Sequence, residues 1–493
     1  MSNRDAVTVG MPVALVDPSR RFRMIVSITL LCATGLLLLW FGSSEPWSNE
    51  LPANPANYAS HFYSAQASSM LDGRIDIPQA VLPGEYYTYH GKYYGYFGIT
   101  PSLLRLPIVV IDPSRGMTGS FLVLALLLGL VASVLIVNEI WIQAARRGVA
   151  GDVVLGWWNR ALFAAAVAAV CPGSILFQLT QPNVFQEAIA WCVAFTLLGF
   201  WLILKWFGTG RISCLWLAVF AMALAANARP TAIVTAVALA TVLGLLIARN
   251  PRPWRSNVHQ LVPVLALAAV PAGLAMAVFW WKFEALVPDV RLNVQIGGGN
   301  PAWTAMLEAT GGRFFSPIFL PTMLWAYLRP DSLIFLHNHL TFAVPVRIPP
   351  TPTGGYYIEP TASLTNLMPV ALMLGVLALA ITPFRRNGSA SMPTPRAGRL
   401  SAWLTRGMLL AMLSGTLLTI MNIAASNRYL GDFVPFGVVA VGFGAATIMA
   451  MPTQRSLIGR MLIVAVVLLV LIGIAANIGL TYAQVEDRVA IWN

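Results

Sequence analysis

Four residues are candidates for acid–base chemistry: His61, Asp72 and Asp76 near the start of the chain, and Glu187 further along. A carboxylate or a neutral imidazole within hydrogen-bond reach of a hydroxyl can accept its proton. Between 56 and 72, His61, Ser64, Ser68 and Asp72 recur at helical spacing as a polar stripe. Phe62, Tyr63, Ala67, Met70 and Leu71 form the opposite, apolar side. The spacing predicts a helix lying on a membrane and stopped at Gly73. Asp72 then stands in the last turn, where the helix dipole disfavours an anion, and such a placement hints at function. A solvated polar face is the other reading of the same stripe. Glu187, at the end of an apolar run, reads equally as an acid near a site or as an N-terminal charge that suits the dipole.

Anion binding calls for arginine, whose planar fork grips phosphate oxygens in pairs. Arg229 and Arg428 are the candidates, because each is flanked by apolar runs where a charge normally has a partner. Asp432 follows Arg428 by four residues, so on an α-helix the two could pair. That pair is either a structural ion pair or a carboxylate that holds the guanidinium toward a ligand. Lys92, Tyr93 and Tyr94 belong to a tyrosine-rich stretch, Glu85 to Phe97, whose alternation about His90-Gly91 reads as a β-hairpin. A tyrosine offers a ring to the C–H face of a sugar and a hydroxyl to its polar edge, although interfacial belts and hairpin packing also use tyrosine.

These residues must be held by membrane helices. Of 493 residues, 57% are apolar and only 10% charged, with mean hydropathy +0.71. Soluble chains carry about 25% charged residues, so a water-soluble enzyme, a disordered chain and a secreted disulfide scaffold are excluded. The net charge of +12 is read as basic cytoplasmic loops, with no nucleic acid as partner. Cys32, Cys171, Cys192 and Cys214 lie in apolar stretches without ligand spacing and read as small core residues.

Runs long enough to span a bilayer fall near 24–42, 118–142, 161–178, 185–206, 213–227, 231–248, 261–281, 364–383, 407–424, 433–451 and 461–483. The fold class is thus an all-α polytopic membrane protein of about eleven spans. The fifth run is short and could merge with the sixth near Ala228-Arg229-Pro230. The first run follows Arg20, Arg21 and Arg23 without a small-residue cleavage site, and is expected to stay as an anchor. With the N-terminus inside, the cytoplasmic segments hold 19 of the 31 basic residues and, of the acids, Asp5, Asp17, Asp152 and Glu139. Charge therefore predicts a cytoplasmic tail 1–23, one membrane domain 24–483 and an outer tail 484–493. The long connections 43–117 and 282–363 fall together on the outer face. The second contains an expected interfacial helix near 319–329, a glycine run 297–299 and His337-Asn338-His339, which lacks the companions of a metal site.

The outer-loop motifs carry a resemblance. Ser60-His61-Phe62-Tyr63, then Leu71-Asp72-Gly73-Arg74-Ile75-Asp76-Ile77-Pro78, then Gly91-Lys92-Tyr93-Tyr94 and Pro101-Ser102-Leu103-Leu104-Arg105-Leu106-Pro107 look like the first outer loop of bacterial GT-C membrane glycosyltransferases. That superfamily includes the protein mannosyltransferase and aminoarabinose transferase types. Gln186-Glu187-Ala188-Ile189-Ala190-Trp191, Ala228-Arg229-Pro230-Thr231 and Asn427-Arg428-Tyr429-Leu430-Gly431-Asp432-Phe433 follow in the expected order.

The resemblance implies a GT-C-like fold in the inner membrane that takes a sugar from a polyprenyl-phosphate donor. The acceptor would be a glycan, lipid or protein of the cell envelope. It also implies a first-loop carboxylate as base, yet the matching stretch reads Asn57-Tyr58-Ala59-Ser60-His61, without an acid. The base is then displaced to Glu45, Glu50, Asp72 or Asp76, is His61, or is missing. A transporter or flippase for a lipid-linked intermediate is the alternative reading, and a missing base leaves a non-catalytic scaffold as the third. No metal site is recognisable, and a divalent cation as cofactor stays open.

Overall fold

A computed structural model of the protein describes residues 59–82, 86–112, 118–145, 183–249, 254–286, 295–296, 311, 315–335, 343–345, 357–358, 360–381, 401–422, 424–450 and 457–490. The expected spans near 24–42 and 161–178, and both tails except for 484–490, lie outside them.

The first outer loop gives α1 (Phe62–Leu71), β1 (Tyr87–Tyr89), β2 (Lys92–Tyr94) and α2 (Thr100–Ile111). Then come α3 (Thr118–Ala145), α4 (Val184–Thr209), α5 (Ile212–Ala226), α6 (Thr231–Arg249) and α7 (Trp254–Phe283). The second outer loop contributes β3 (Gln295–Ile296), α8 (Leu320–Leu328), β4 (Leu333–Phe335), β5 (Ala343–Pro345) and β6 (Tyr357–Ile358). The remainder is α9 (Leu364–Leu367), α10 (Pro369–Ala380), α11 (Ala402–Ser414), α12 (Leu417–Ile420), β7 (Ala424–Ala425), a 3-10 helix Asn427–Phe433, α13 (Val434–Ala450) and α14 (Leu457–Ala490).

Among the described residues six helical stretches are long and apolar enough to cross a membrane: Thr118–Ala144, Val184–Thr209, Thr231–Arg249, Val258–Phe283, Asn427–Met449 and Gly459–Thr481. The chain is a multi-pass membrane protein. The other described runs are shorter. α5 has 15 residues, about 22 Å at 1.5 Å per residue, against a hydrocarbon core of about 30 Å. It does not merge with α6, because the chain turns at Asn227–Pro230. The run near 364–383 breaks at Met368 ahead of Pro369, and the run near 407–424 breaks at Gly415-Thr416.

Burial sorts the spans. α4 and the stretch Asn427–Met449 are central, 89% and 100% buried over their most apolar windows. Ile189, Phe200, Ile203, Val438, Val439 and Phe443 form the middle of the core. α7 and α14 keep most of their side chains outward, including Trp280, Trp281, Leu468 and Leu471, as lipid-facing helices should.

The two long loops meet. β1 pairs antiparallel with β2 across His90-Gly91, with Tyr87 opposite Tyr94 and Tyr89 opposite Lys92. His90 at φ 49° and Gly91 at φ 72° make the two left-handed residues of a type I′ turn, whose twist suits a two-residue hairpin. On its other edge β1 pairs antiparallel with β3, Tyr87 facing Ile296. One three-stranded sheet, in the order β2-β1-β3, therefore places both loops on the same side of the helices. The rest of the second loop is tied to the segment before Asn427. Ser316 N–H donates to the Met421 carbonyl at 2.8 Å, β6 runs parallel to β7, and Ala362 N–H donates to Asn427 Oδ1 at 2.6 Å.

Candidate functional site

Arg229 follows the end of α5, and the 3-10 helix Asn427–Phe433 brings a second arginine to it. Both approach the ring of Tyr429, the Arg229 guanidinium at 4.9 Å and that of Arg428 at 5.4 Å from its centre. Arg229 Nη2 donates to Asp432 Oδ2 at 2.9 Å, and the Thr419 hydroxyl donates to the same oxygen at 2.5 Å. Asp432 Oδ1 is buried and has no hydrogen-bond partner among the described residues. Arg428 lies over Phe185, guanidinium to ring centre 4.1 Å. Arg229, Arg428 and Tyr429 are each half-buried, so charge stands at a helix boundary without entering the interior. Such an arrangement can hold a phosphate: guanidinium faces rest on rings while their N–H edges donate.

The expected i,i+4 pair is thereby corrected. Asp432 bonds to Arg229, not Arg428. The segment is a 3-10 helix, which turns about 120° per residue, so position i+4 points away from position i.

Glu187 is corrected as well. It is fully buried and makes a paired contact with the fully buried Arg105 of α2, Nη1 to Oε1 at 2.5 Å and Nη2 to Oε2 at 2.7 Å. Trp191 Nε1 donates to Oε1 at 3.2 Å, and the Arg105 guanidinium covers the Phe121 ring at 4.0 Å. Such a carboxylate is committed to a cation in the core and does not face the surface occupied by Asp72. Of the four acid–base candidates, Glu187 is thus the one enclosed in the core, apart from exposed His61 and Asp72.

The first-loop helix differs from its prediction too. α1 buries Ser64, Gln66 and Ser69 together with Phe62, Tyr63 and Ala67, and exposes Leu71. It is wedged between protein elements instead of floating on lipid. The Ser102 hydroxyl donates to Gln66 Oε1 at 2.7 Å, and the Tyr63 hydroxyl to the Val184 carbonyl at 3.1 Å. Burial, reinforced by the nearby Glu187 charge, pushes the Tyr63 phenol well above its ordinary range. His61 is exposed at the helix start.

Asp72 and Asp76 share Arg74, at 3.3 and 2.8 Å. Their exposures separate them, with the Asp72 side chain 66% exposed and that of Asp76 16%. Asp76 stands beside the hairpin. Burial first, then the charges of Asp76 and Glu284, raise the Tyr94 phenol. Tyr94 itself is buried against Phe283, centroids 5.6 Å apart, and Tyr93 packs edge-on against Tyr86 at 4.9 Å. Tyr94 is thus spent on hairpin packing. Lys92 is exposed.

Sequence reasoning missed three supports. Phe185 lies under the Arg428 guanidinium. Lys282, buried at the end of α7, donates from Nζ to the carbonyls of Gly95 and Phe97 at 2.9 and 2.5 Å and so fixes the turn after β2. Asn183 caps α4, its Oδ1 accepting from Phe185 N–H at 2.9 Å. The cap was findable, since Asn just before an apolar helix is a start signal. Arg105 was findable too, because a charge within Leu103-Leu104-Arg105-Leu106 needs a partner. Among the described residues no group of three or more His, Cys, Asp or Glu is gathered for a metal; His337 and His339 lie outside them.

Comparison with family models gives no match, and comparison with curated protein sequences gives none. Among solved structures the chain is similar to the Archaeoglobus fulgidus oligosaccharyltransferase in its apo form, at 15% identity and a TM-score of 0.45, covering 94% of this chain and 56% of that one. It is also similar to the archaeal oligosaccharyltransferase AglB of Archaeoglobus fulgidus, solved with an inhibitory peptide and a dolichol-phosphate. The identity there is 14% and the TM-score 0.45, covering 95% of this chain and 56% of that one. The chain thus spans little more than half the length of these archaeal proteins. Function has to be read from the chain's own residues.

Proposed function

We propose that the chain is a GT-C-like membrane glycosyltransferase. It would move a sugar from a polyprenyl-phosphate donor to a glycan, lipid or protein acceptor of the cell envelope, at the outer face of the inner membrane. The observation that carries this reading is the pair of half-buried arginines, Arg229 and Arg428, both over the ring of Tyr429 at the ends of apolar helices. Two forks at such a boundary suit a phosphate whose lipid tail stays in the bilayer.

In this reading the acceptor hydroxyl attacks the anomeric carbon as the bond from that carbon to the phosphate oxygen breaks. The electron pair leaves on the phosphate, where Arg229 and Arg428 stabilise the growing charge. Asp432 and Thr419 hold Arg229 in place. The acceptor's proton goes to a first-loop base. Asp76 is the favoured one, being sheltered yet reached by Arg74 through Oδ2 alone among the described residues. Asp72 and His61 are more exposed alternatives. Tyr93 and Lys92, on the outer strand of the hairpin, would meet the sugar or acceptor.

The test is transfer itself. Membranes containing the protein are given radiolabelled polyprenyl-phosphate sugars, and label in envelope acceptors is followed together with release of polyprenyl phosphate. Arg428→Ala should abolish both, and Arg428→Lys, which keeps the charge but loses the fork, should retain only a small part. Transfer unchanged by Arg428→Ala would remove the reading.

A further inference from the structure

Phe185 is not a residue that the chemistry above calls for, yet it is unusually well held. Its backbone N–H is fixed by the Asn183 cap. Its ring stands edge-to-face with Phe97 at 5.3 Å. Phe97 in turn packs on Phe62 at 5.3 Å and Tyr63 at 6.3 Å in α1. The Arg428 guanidinium lies over the ring at 4.1 Å from its centre. A line of contacts therefore runs from the first-loop helix through Phe97 and Phe185 to Arg428, Tyr429 and Arg229.

From this geometry we infer that Phe185 is a positioning residue for Arg428: its ring sets the guanidinium plane at the membrane boundary and thereby sets the affinity for the donor's phosphate. The physical ground is that a guanidinium laid flat on a ring keeps its N–H edges in the plane, directed away from the ring and available to an oxyanion. Asp432, which the sequence offers as the orienting partner, pairs with Arg229, while the Phe185 ring is the surface over which the Arg428 guanidinium lies. An ordered face also lowers the cost of fixing a long side chain when a ligand arrives. The inference rests on the phosphate-binding reading above and adds a residue from α4 to it.

The test is a double-mutant cycle read as binding, which separates the inference from turnover. Full-length protein in nanodiscs is titrated with polyprenyl monophosphate. Phe185→Leu and Phe185→Met remove the ring but keep apolar bulk, and both should weaken Kd by about 2- to 30-fold, the range of a cation–π contact. Phe185→Tyr keeps the ring and should stay close to the parent. In an Arg428→Ala background, Phe185→Leu should add less than about twofold, as expected for residues acting through one contact. Equal loss in both backgrounds would show that Phe185 serves only packing and would overturn the inference. So would an unchanged Kd for Leu and Met while Arg428→Ala weakens binding, or loss of folded protein in both ring-less variants. An unchanged Kd for Arg428→Ala would overturn the inference and the reading beneath it together.

Discussion

Arg105 and Glu187 form the most consequential contact at the scale of single residues. Each charge loses its hydration, and the two pay for it only together. Glu187→Gln removes the carboxylate that grips the buried Arg105 guanidinium through both oxygens and should destabilise the fold by about 3–5 kcal/mol. The paired replacement Arg105→Met with Glu187→Leu should restore most of that, as read by thermal unfolding in detergent. A Glu187→Gln protein that keeps its melting temperature but loses transfer would instead return Glu187 to a catalytic role. The residue types were legible in the sequence: arginines and acids in apolar surroundings do have partners here. Which partner was not legible. Glu187 and Arg105 are 82 positions apart, and Asp432 turns from Arg428 to Arg229 because its segment is 3-10 and not α.

α1 shows how an element can be found and its environment misread. Periodicity locates the helix and its stop at Gly73, but a stripe of serines does not distinguish water from neighbouring protein. Ser64 and Ser69 are buried in a helix packed on α2, and Thr118 at the start of α3 reaches back to the Ser60 carbonyl at 2.7 Å. Gly98 records how closely the parts meet. A Cβ there would stand 1.8 Å from the Asn227 carbonyl oxygen, which also accepts from Thr100 N–H at 3.0 Å. Gly98→Ala must therefore push α2 away from the end of α5, next to Arg229. It should lower the melting temperature by several degrees and weaken phosphate binding; an unaltered melting curve would contradict the close packing.

Alkali probes the same region. Tyr63 is held as the neutral phenol in the folded chain, its pKa above the unfolded value of about 10. The folded state thus binds more protons above that pH, so stability is full below about pH 10 and falls as pH rises further. Tyr63→Phe should flatten the fall seen between neutral pH and pH 11, and an unchanged slope would deny that this phenol is buried.

At the scale of the whole molecule, hydropathy and charge carried the most. The spans near 118–142, 185–206, 231–248, 261–281, 433–451 and 461–483 each correspond to a long helix. What hydropathy could not give is the meeting of the two outer loops. β3 is two residues long and joins a strand about 200 positions earlier, a pairing fixed by the surrounding packing and not by any local pattern. That sheet predicts one side for both loops. In intact cells, single cysteines at Glu85 and Asn300 should both react with an impermeant thiol reagent, while one at Ala390 should not. Labelling of only one of the first two would contradict the shared sheet, and labelling of Ala390 alone would invert the orientation.

The position of a bound lipid phosphate is the most direct test of Arg229 and Arg428 as its clamp. A cryo-electron microscopy structure of the protein in nanodiscs with polyprenyl monophosphate would locate it. The expected result is phosphate density within hydrogen-bond reach, about 3 Å, of the guanidinium nitrogens of Arg428 and Arg229, with the tail passing into the outer leaflet. Well-resolved arginines beside Tyr429 with the phosphate bound elsewhere, or with none bound at saturating lipid, would contradict it.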